Sequence, residues 1–84
     1  MRSIVYTGRF RKDLKRMIKK GADGTLLQEV IETIQAGKPL DPKYEDHPLR
    51  GKLDGKRDCH ISPELVLIYA VDKNDLTLYR TGTH

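Results

Sequence analysis

The sequence predicts an α+β domain in which two antiparallel helices pack on one face of a mainly antiparallel four-stranded sheet, in the order β-α-α-β-β-β. Three observations predict this fold. Two consecutive segments carry apolar residues at helical spacing and are joined by only a few residues. An unbroken apolar run at 65–71 has the length of a central strand. A tight turn at 72–75 then leads into another strand, which makes that pair antiparallel.

The N-terminal part should form a strand followed by the helical hairpin. Residues 2–6 are rich in β-branched and aromatic side chains, which is typical of a strand. Thr7 can cap the first helix, whose apolar positions share one face: Phe10, Leu14, Met17 and Ile18. The second helix should begin near Thr25, which has capping-box spacing to Gln28. It should bury Leu26, Leu27, Val30, Ile31 and Ile34.

Three strands should follow a loop at 38–51, at about 52–61, 65–71 and 76–81. With the helices on one side, the other face of the sheet is left partly open. No repeat or second domain is evident, so residues 1–84 form one small domain.

Composition limits the kinds of binding partner and the cellular compartment that we expect for this protein. The net charge of +4 favours an anionic partner, with nucleic acid ahead of an acidic protein or a membrane surface. The single Cys59 cannot form an internal disulfide, which suits a reducing compartment. The N-terminus lacks the apolar run of a signal peptide, and the longest apolar run is too short to span a bilayer. We therefore expect a cytoplasmic protein.

The candidate catalytic residues are histidines, carboxylates and one arginine. Pro48 restricts the backbone of His47, so we expect this imidazole to be presented from a loop. Asp58 and His60 are two residues apart and should share one face of a strand. Metal-free RNA cleavage needs a base for the 2′-OH, an acid for the 5′-oxygen and a cation for the phosphate. The full candidate set is His47, Asp58, His60, Glu64, Arg80 and His84.

Two groups of cations are candidate phosphate ligands. One follows His47 and is interleaved with Gly51 and Gly55, which let a backbone bend around an anion: Arg50, Lys52, Lys56 and Arg57. The other lies on the outer face of the first helix: Lys12, Lys15, Arg16 and Lys19. No Walker loop, nucleophile elbow or paired-cysteine motif is present.

Simpler interpretations of the same residues remain open. The histidines can be ordinary surface residues, and Arg80 can pair with Asp58 or Glu64 across strands. The acidic residues at 45–46 can merely solvate the loop, and the basic helix face can be a solvated surface. Cys59 is expected to point into the core rather than act as a nucleophile. A zinc site built from the three histidines and an acid is an alternative, although close ligand pairs are lacking.

Several motifs resemble the YafQ-like branch of the RelE and ParE superfamily of bacterial type II toxins. They are DHPLRG at 46–51, KRDCHISPELVLIY at 56–69 and YRTGTH at 79–84, in the family's order and at its spacing. The resemblance implies a RelE-like fold and a ribosome-dependent, metal-independent mRNA endonuclease that cuts codons in the A site. It also implies a cognate antitoxin, the ribosome and mRNA as partners, and no cofactor.

Carried over by position, the resemblance makes the histidines and Glu64 the acid–base set and Arg80 the cation that stabilises the phosphate. Glu64 stands where the branch often has aspartate, and family chains usually continue a few residues beyond the position of His84. Two other classes of function stay open. One is a gyrase-inhibiting toxin of the same fold, which would bind a protein without chemistry. The other is a non-catalytic RNA-binding module that would tolerate loss of every histidine.

Overall fold

The fold is two helices packed on one face of a five-stranded sheet, as seen in a computed structural model that describes residues 1–53 and 55–82. The sheet order is β1-β5-β4-β3-β2. The strands are β1 Ser3–Tyr6, β2 His47–Pro48, β3 Arg57–Ser62, β4 Leu65–Val71 and β5 Asp75–Gly82. The helices are α1 Gly8–Lys19 and α2 Thr25–Gln35, and two short 3-10 turns lie at Pro42–Tyr44 and Gly51–Leu53.

The predicted fold class is confirmed, with differences in the sheet. β1 pairs in parallel with β5, whereas all other neighbouring pairs are antiparallel. The fifth strand is β2, which lies where a loop was predicted, and Pro48 is tolerated there because β2 is an edge strand. β3 begins at Arg57 and not near Lys52, because the chain first makes the 3-10 turn at Gly51–Leu53.

The core lies between the helices and the sheet. Cys59 and Ile61 on β3 face the helices with Leu67 and Tyr69 on β4, as the alternating burial of these strands requires. The buried set is Phe10, Leu27, Val30, Ile31, Ile34, Cys59, Ile61, Leu67, Tyr69, Leu76 and Leu78. The predicted burial was wrong for Leu26, which is 37% exposed, and Ile18 on the predicted apolar face of α1 is 55% exposed. Both lie at the margin of their apolar stripe.

The ends of the helices are fixed by different residues. Thr7 caps α1 as predicted: its Oγ1 accepts from the amide of Phe10 and donates to the carbonyl of Leu78, which ties the helix to β5. The capping box predicted at Thr25 was wrong. Gly24 is the residue that precedes α2, and the carboxylate of Asp23 instead accepts from the amide and hydroxyl of Thr25.

A register shift in β5 directs its last residues. Ile68 is opposite Arg80, whereas the next residue of β4, Tyr69, is opposite Leu78, so β5 carries one extra residue. The shift turns Arg80 to the face away from the core while Thr81 stays buried.

Among the described helices, none is both long and apolar enough to span a bilayer.

Candidate active site

One row of residues crosses four strands at the same level of the open sheet face. His47 on β2 is opposite Asp58 on β3, Asp58 is opposite Ile68 on β4, and Ile68 is opposite Arg80 on β5. Residues directly opposite each other in a sheet project to the same face. His60 lies two residues beyond Asp58 and shares that face, as predicted. Residues far apart in sequence therefore meet on one surface.

Two imidazoles flank a single carboxylate oxygen. The Nε2 atoms of His47 and His60 each lie 3.7 Å from Oδ2 of Asp58, and the two ring centroids are 6.1 Å apart. Asp58 is mostly buried, with 20% of its side chain exposed, whereas the His47 side chain is 49% exposed. The carboxylate is thus recessed between two imidazoles that solvent and substrate can reach.

The backbone before His47 fixes which of its nitrogens carries a proton. Nδ1 of His47 lies 2.7 Å from the carbonyl oxygen of Glu45. A carbonyl only accepts, so Nδ1 is the protonated nitrogen, and Nε2 is the nitrogen that faces Asp58. Glu45 adopts the left-handed conformation, with a φ of 50°. That conformation is uncommon for a residue with a side chain, and residues that adopt it are often found at functional sites.

A three-residue clamp holds the segment that carries His47. The carboxylate of Asp46 accepts a 2.6 Å hydrogen bond from the hydroxyl of buried Tyr69, and it forms an ion pair with Arg57, whose Nη2 lies 3.1 Å away. Burial raises the pKa of the Tyr69 phenol, which keeps it a hydrogen-bond donor. Asp46 therefore does more than solvate the loop, and that simpler interpretation was wrong.

The two arginines near Asp58 are paired with other acids, whereas Asp58 itself contacts the two imidazoles. Arg57, which precedes it, is bound to Asp46, and Arg80 is bound to Asp13. Among the ion pairs of the described residues, those of Asp58 join it to His47 and His60. Its Oδ1 atom is buried and has no hydrogen-bond partner in that part of the chain. Asp58 is therefore the acidic side chain that lies between the two imidazoles on the open face.

Arg80 is held in place from α1. Its Nε donates to Oδ2 of Asp13 at 2.7 Å and its Nη2 donates to Oδ1 at 3.2 Å. Asp13 is only 8% exposed and also accepts from the amide of Thr81. The hydrogen bond from Arg80 lowers the pKa of Asp13. The predicted alternative in which Arg80 pairs with Asp58 or Glu64 was wrong, although the Arg80 side chain stays 48% exposed.

The candidate phosphate ligands fall into three environments. Arg57 is engaged by Asp46, and the ammonium of Lys56 lies 4.6 Å from the ring centroid of Tyr79. Arg50 and Lys52 are exposed, and so are the four cations of α1: Lys12, Lys15, Arg16 and Lys19. A groove of about 300 Å³ connects Arg80 to Arg16 and Lys20. Gly51 and Gly55 have φ values of 73° and 89°, which glycine adopts easily.

The remaining candidates are less closely joined to this cluster. Glu64 is exposed in the turn between β3 and β4, where its amide faces the hydroxyl of Ser62. His84 lies outside the described residues. Cys59 is fully buried as predicted, and burial raises the pKa of its thiol to about 12. Within residues 1–53 and 55–82, no group of three or more histidine, cysteine or acidic side chains has the geometry of a metal site.

Sequence reasoning missed the residues that hold the candidate site in place. Asp13, Asp46 and Tyr69 each support a candidate catalytic residue or its neighbour. Asp13 did carry a signal, because it is the one acid in a helix rich in cations. Tyr69 carried none, since an aromatic residue in a buried strand is ordinary core.

The fold and the cluster define a class of small α+β domain that presents paired imidazoles and a tethered guanidinium on the open face of its sheet. Comparison with known proteins gives the particular family. A profile for the bacterial toxin of type II toxin-antitoxin systems, YafQ, matches residues 2–84. The chain therefore belongs to the YafQ toxin family.

Three relatives illustrate the similarity. The chain is 39% identical over 84 residues to the mRNA interferase toxin YafQ of Escherichia coli K12, covering 99% of this chain and 91% of that protein. A copper-bound mutant toxin from Helicobacter pylori superposes with a TM-score of 0.95 at 39% identity, covering 100% and 96% of the two chains. YafQ in the E. coli DinJ-YafQ toxin-antitoxin complex superposes with a TM-score of 0.91 at 38% identity, covering 99% of this chain and 92% of that chain.

Proposed function

We propose that this protein is an endoribonuclease that cleaves mRNA on the ribosome, through acid–base catalysis by the imidazoles beside Asp58. The single observation that carries the proposal is the arrangement of His47 and His60, whose Nε2 atoms both lie 3.7 Å from one carboxylate oxygen. The name of the E. coli relative, an mRNA interferase toxin, supports the same reaction.

The reaction is an attack of the 2′-oxygen on the adjacent phosphorus. A base removes the 2′-hydroxyl proton, the new P–O2′ bond forms, and the P–O5′ bond breaks as an acid protonates the leaving 5′-oxygen. The products are a 2′,3′-cyclic phosphate and a 5′-hydroxyl, so no water and no metal ion take part in the step. One imidazole in each protonation state satisfies both proton transfers, because imidazole changes charge near neutral pH.

Asp58 and the guanidinium have separate tasks in this scheme. Asp58 orients the imidazoles, since the Nε2 atoms of both rings lie 3.7 Å from its Oδ2. Arg80 stabilises the charge that builds on the phosphate oxygens, with the part of its guanidinium that Asp13 does not occupy. Glu64 and His84 complete the acid–base set that the family resemblance implies.

Substrate alignment comes from the ribosome. The domain is small and its open face shallow, so positioning by A-site geometry supplies what the protein alone lacks. The exposed cations of α1 and of residues 50–56, together with the groove from Arg80 to Lys20, would contact ribosomal and messenger phosphates. Such a protein acts in the cytoplasm and cuts free RNA poorly.

An antitoxin is the second expected partner. The E. coli relative forms a complex with the antitoxin DinJ. An acidic segment of a cognate antitoxin would complement the net charge of +4 and could cover the open face that carries Arg80.

Brief expression followed by primer extension on cellular mRNA tests the proposal. The wild type is expected to give new 5′ ends at fixed positions within codons, and Asp58→Asn and His60→Gln should remove them. Asp75→Asn is a matched control, since it makes the same chemical change at the opposite end of the sheet. Intact mRNA with accumulated DNA breaks would contradict the proposal, and so would full cleavage by His60→Gln.

A further inference from the structure

Asp13 is a buried acidic residue that takes no part in the proton transfers described above. Its side chain on α1 is 8% exposed, and its carboxylate contacts the part of β5 that carries Arg80. The hydrogen bond from Arg80 lowers the pKa of Asp13, so this group is ionised near neutral pH. Burying an ionised carboxylate costs free energy, which the opposite charge and the hydrogen bonds at this place offset.

Asp13 lies where β5 loses its neighbouring strand. β1 pairs with β5 from Asp75 to Leu78, and beyond Leu78 no described strand covers that edge of β5. Oδ2 of Asp13 accepts a hydrogen bond from the amide of Thr81 at 3.2 Å and another from Nε of Arg80 at 2.7 Å. One carboxylate oxygen therefore fixes both the backbone and a side chain at the uncovered edge.

The contacts of Asp13 involve one edge of the Arg80 guanidinium. Nε and Nη2 donate to the two carboxylate oxygens, and these nitrogens lie along the inner edge of the planar group. The outer edge presents further N–H groups on Nη1 and Nη2, which together match the spacing of two phosphate oxygens. Because the Arg80 side chain is 48% exposed, a phosphate can reach this outer edge.

The direction of the Arg80 side chain depends on Asp13. Among the described residues, the side-chain hydrogen bonds and the ion pair of Arg80 all go to this one carboxylate. Arg80 lies in the same row of the sheet as Asp58 but two strands away, which separates their backbones by about 10 Å. A long side chain with several rotatable bonds needs an anchor to hold one direction across that distance.

We propose that Asp13 is a positioning residue of the cleavage reaction, which holds the inner edge of the Arg80 guanidinium so that the outer edge meets the scissile phosphate. This inference rests on the proposed nuclease function. It also links RNA binding to the site, because the exposed cations Lys12 and Arg16 lie on the same helix as Asp13. Contact of these cations with phosphates would fix the helix that holds Arg80.

A double-mutant cycle of Asp13→Asn and Arg80→Ala tests the proposal. Asparagine has nearly the shape of aspartate, but its amide oxygen is its only side-chain acceptor, so it cannot accept from Nε and Nη2 with separate oxygens. Cleavage of ribosome-bound mRNA at several substrate concentrations gives kcat and KM. The rates are compared at a temperature where urea unfolding shows each variant to be folded.

Asp23→Asn is the matched control for Asp13→Asn. The carboxylate of Asp23 also accepts two hydrogen bonds, from the amide and the hydroxyl of Thr25, but it lies just before α2 and contacts no arginine in the described part of the chain. The control makes the same chemical change and should leave kcat and KM at their wild-type values.

Asp13→Asn should lower kcat by about 10- to 100-fold with KM little changed, since a misplacement of about 1 Å can cost roughly 100-fold in rate. In the Arg80→Ala background the same change should lower kcat by less than about threefold, because no guanidinium is left to position. A merely structural role would instead give the same loss in both backgrounds.

Arg80→Lys keeps the test decisive if Asp13→Asn fails to fold. An ammonium group has no second edge, so it cannot bind Asp13 and present a planar pair of donors to the phosphate, and kcat should fall by at least about tenfold. The proposal is overturned by a wild-type kcat in Asp13→Asn, by equal losses in the two backgrounds, or by a wild-type kcat in Arg80→Lys.

Failure of the proposed function gives a different result. A wild type that cuts no mRNA would refute the nuclease activity, and a wild-type kcat in Arg80→Ala would refute the role of Arg80 at the phosphate and the positioning role with it. A slow Arg80→Ala variant beside an unaffected Asp13→Asn variant would refute the positioning role alone.

Discussion

Removing the Tyr69 hydroxyl should weaken both the fold and the candidate active site. In Tyr69→Phe, the carboxylate of Asp46 loses a 2.6 Å hydrogen bond, while the ring continues to fill the core. A hydrogen bond to a charged group contributes about 1.5–3 kcal/mol net. Asp46 keeps its ion pair with Arg57 and a quarter of its side chain is exposed, so we expect about 1.5 kcal/mol, at the lower end.

The effect on cleavage should exceed a loss of folded protein. His47 directly follows Asp46, so a looser clamp displaces the imidazole, and a shift of about 1 Å can cost roughly 100-fold in rate. Urea unfolding gives the free energy of unfolding, and cleavage of ribosome-bound mRNA gives the rate and the substrate dependence. We expect a rate at least about tenfold lower with KM little changed, at a temperature where the variant is fully folded.

Tyr6→Phe is the control for this experiment. It removes the same atom from a phenol that is 45% exposed and lies on β1, away from the cluster. It should leave stability and cleavage unchanged. A Tyr69→Phe variant that is less stable yet cleaves at the wild-type rate when folded would refute the positioning role, and one with unaltered stability would refute the clamp.

Two further predictions concern buried groups elsewhere. Arg80 lowers the pKa of Asp13 below its ordinary value of 3.8, so the contribution of Asp13 to stability is complete above that pH and is lost as the pH falls through the lowered pKa. Asp13→Asn should therefore destabilise the protein by roughly 1–3 kcal/mol at neutral pH and progressively less in strong acid. Urea unfolding across pH measures this, and a pH-independent difference would contradict it. The Cys59 thiol, whose pKa burial raises to about 12, should resist alkylation at mildly alkaline pH until urea unfolds the chain. Rapid labelling of the native protein would count against that burial.

The parts of the fold that sequence predicts are those with a local period. The two helices and the strands β4 and β5 each span several residues of consistent apolar spacing, which is enough to fix their type and the face they bury. β2 could not be predicted in this way, because His47–Pro48 is only two residues long and forms a strand through its pairing with β3. Whether so short a segment forms a strand depends on its pairing with another strand and not on its local sequence.

The same distinction between local spacing and long-range contact applies to the candidate site. The shared face of Asp58 and His60 follows from their spacing within one strand. The partners that hold the site in place do not follow from spacing. Asp13 and Arg80 are 67 positions apart, and Asp46 and Tyr69 are 23 apart. The register shift that turns Arg80 to the open face is also a product of pairing between β4 and β5.

The central claim is that His47 and His60 act as one catalytic unit beside Asp58, and a double-mutant comparison tests it most directly. Cleavage rates of ribosome-bound mRNA would be measured for His47→Gln, His60→Gln and the variant with both changes. Residues that act as a unit have strongly non-additive effects, so the double variant should be about as slow as the slower single variant. Losses that multiply, or single variants that cleave at the wild-type rate, would contradict the claim.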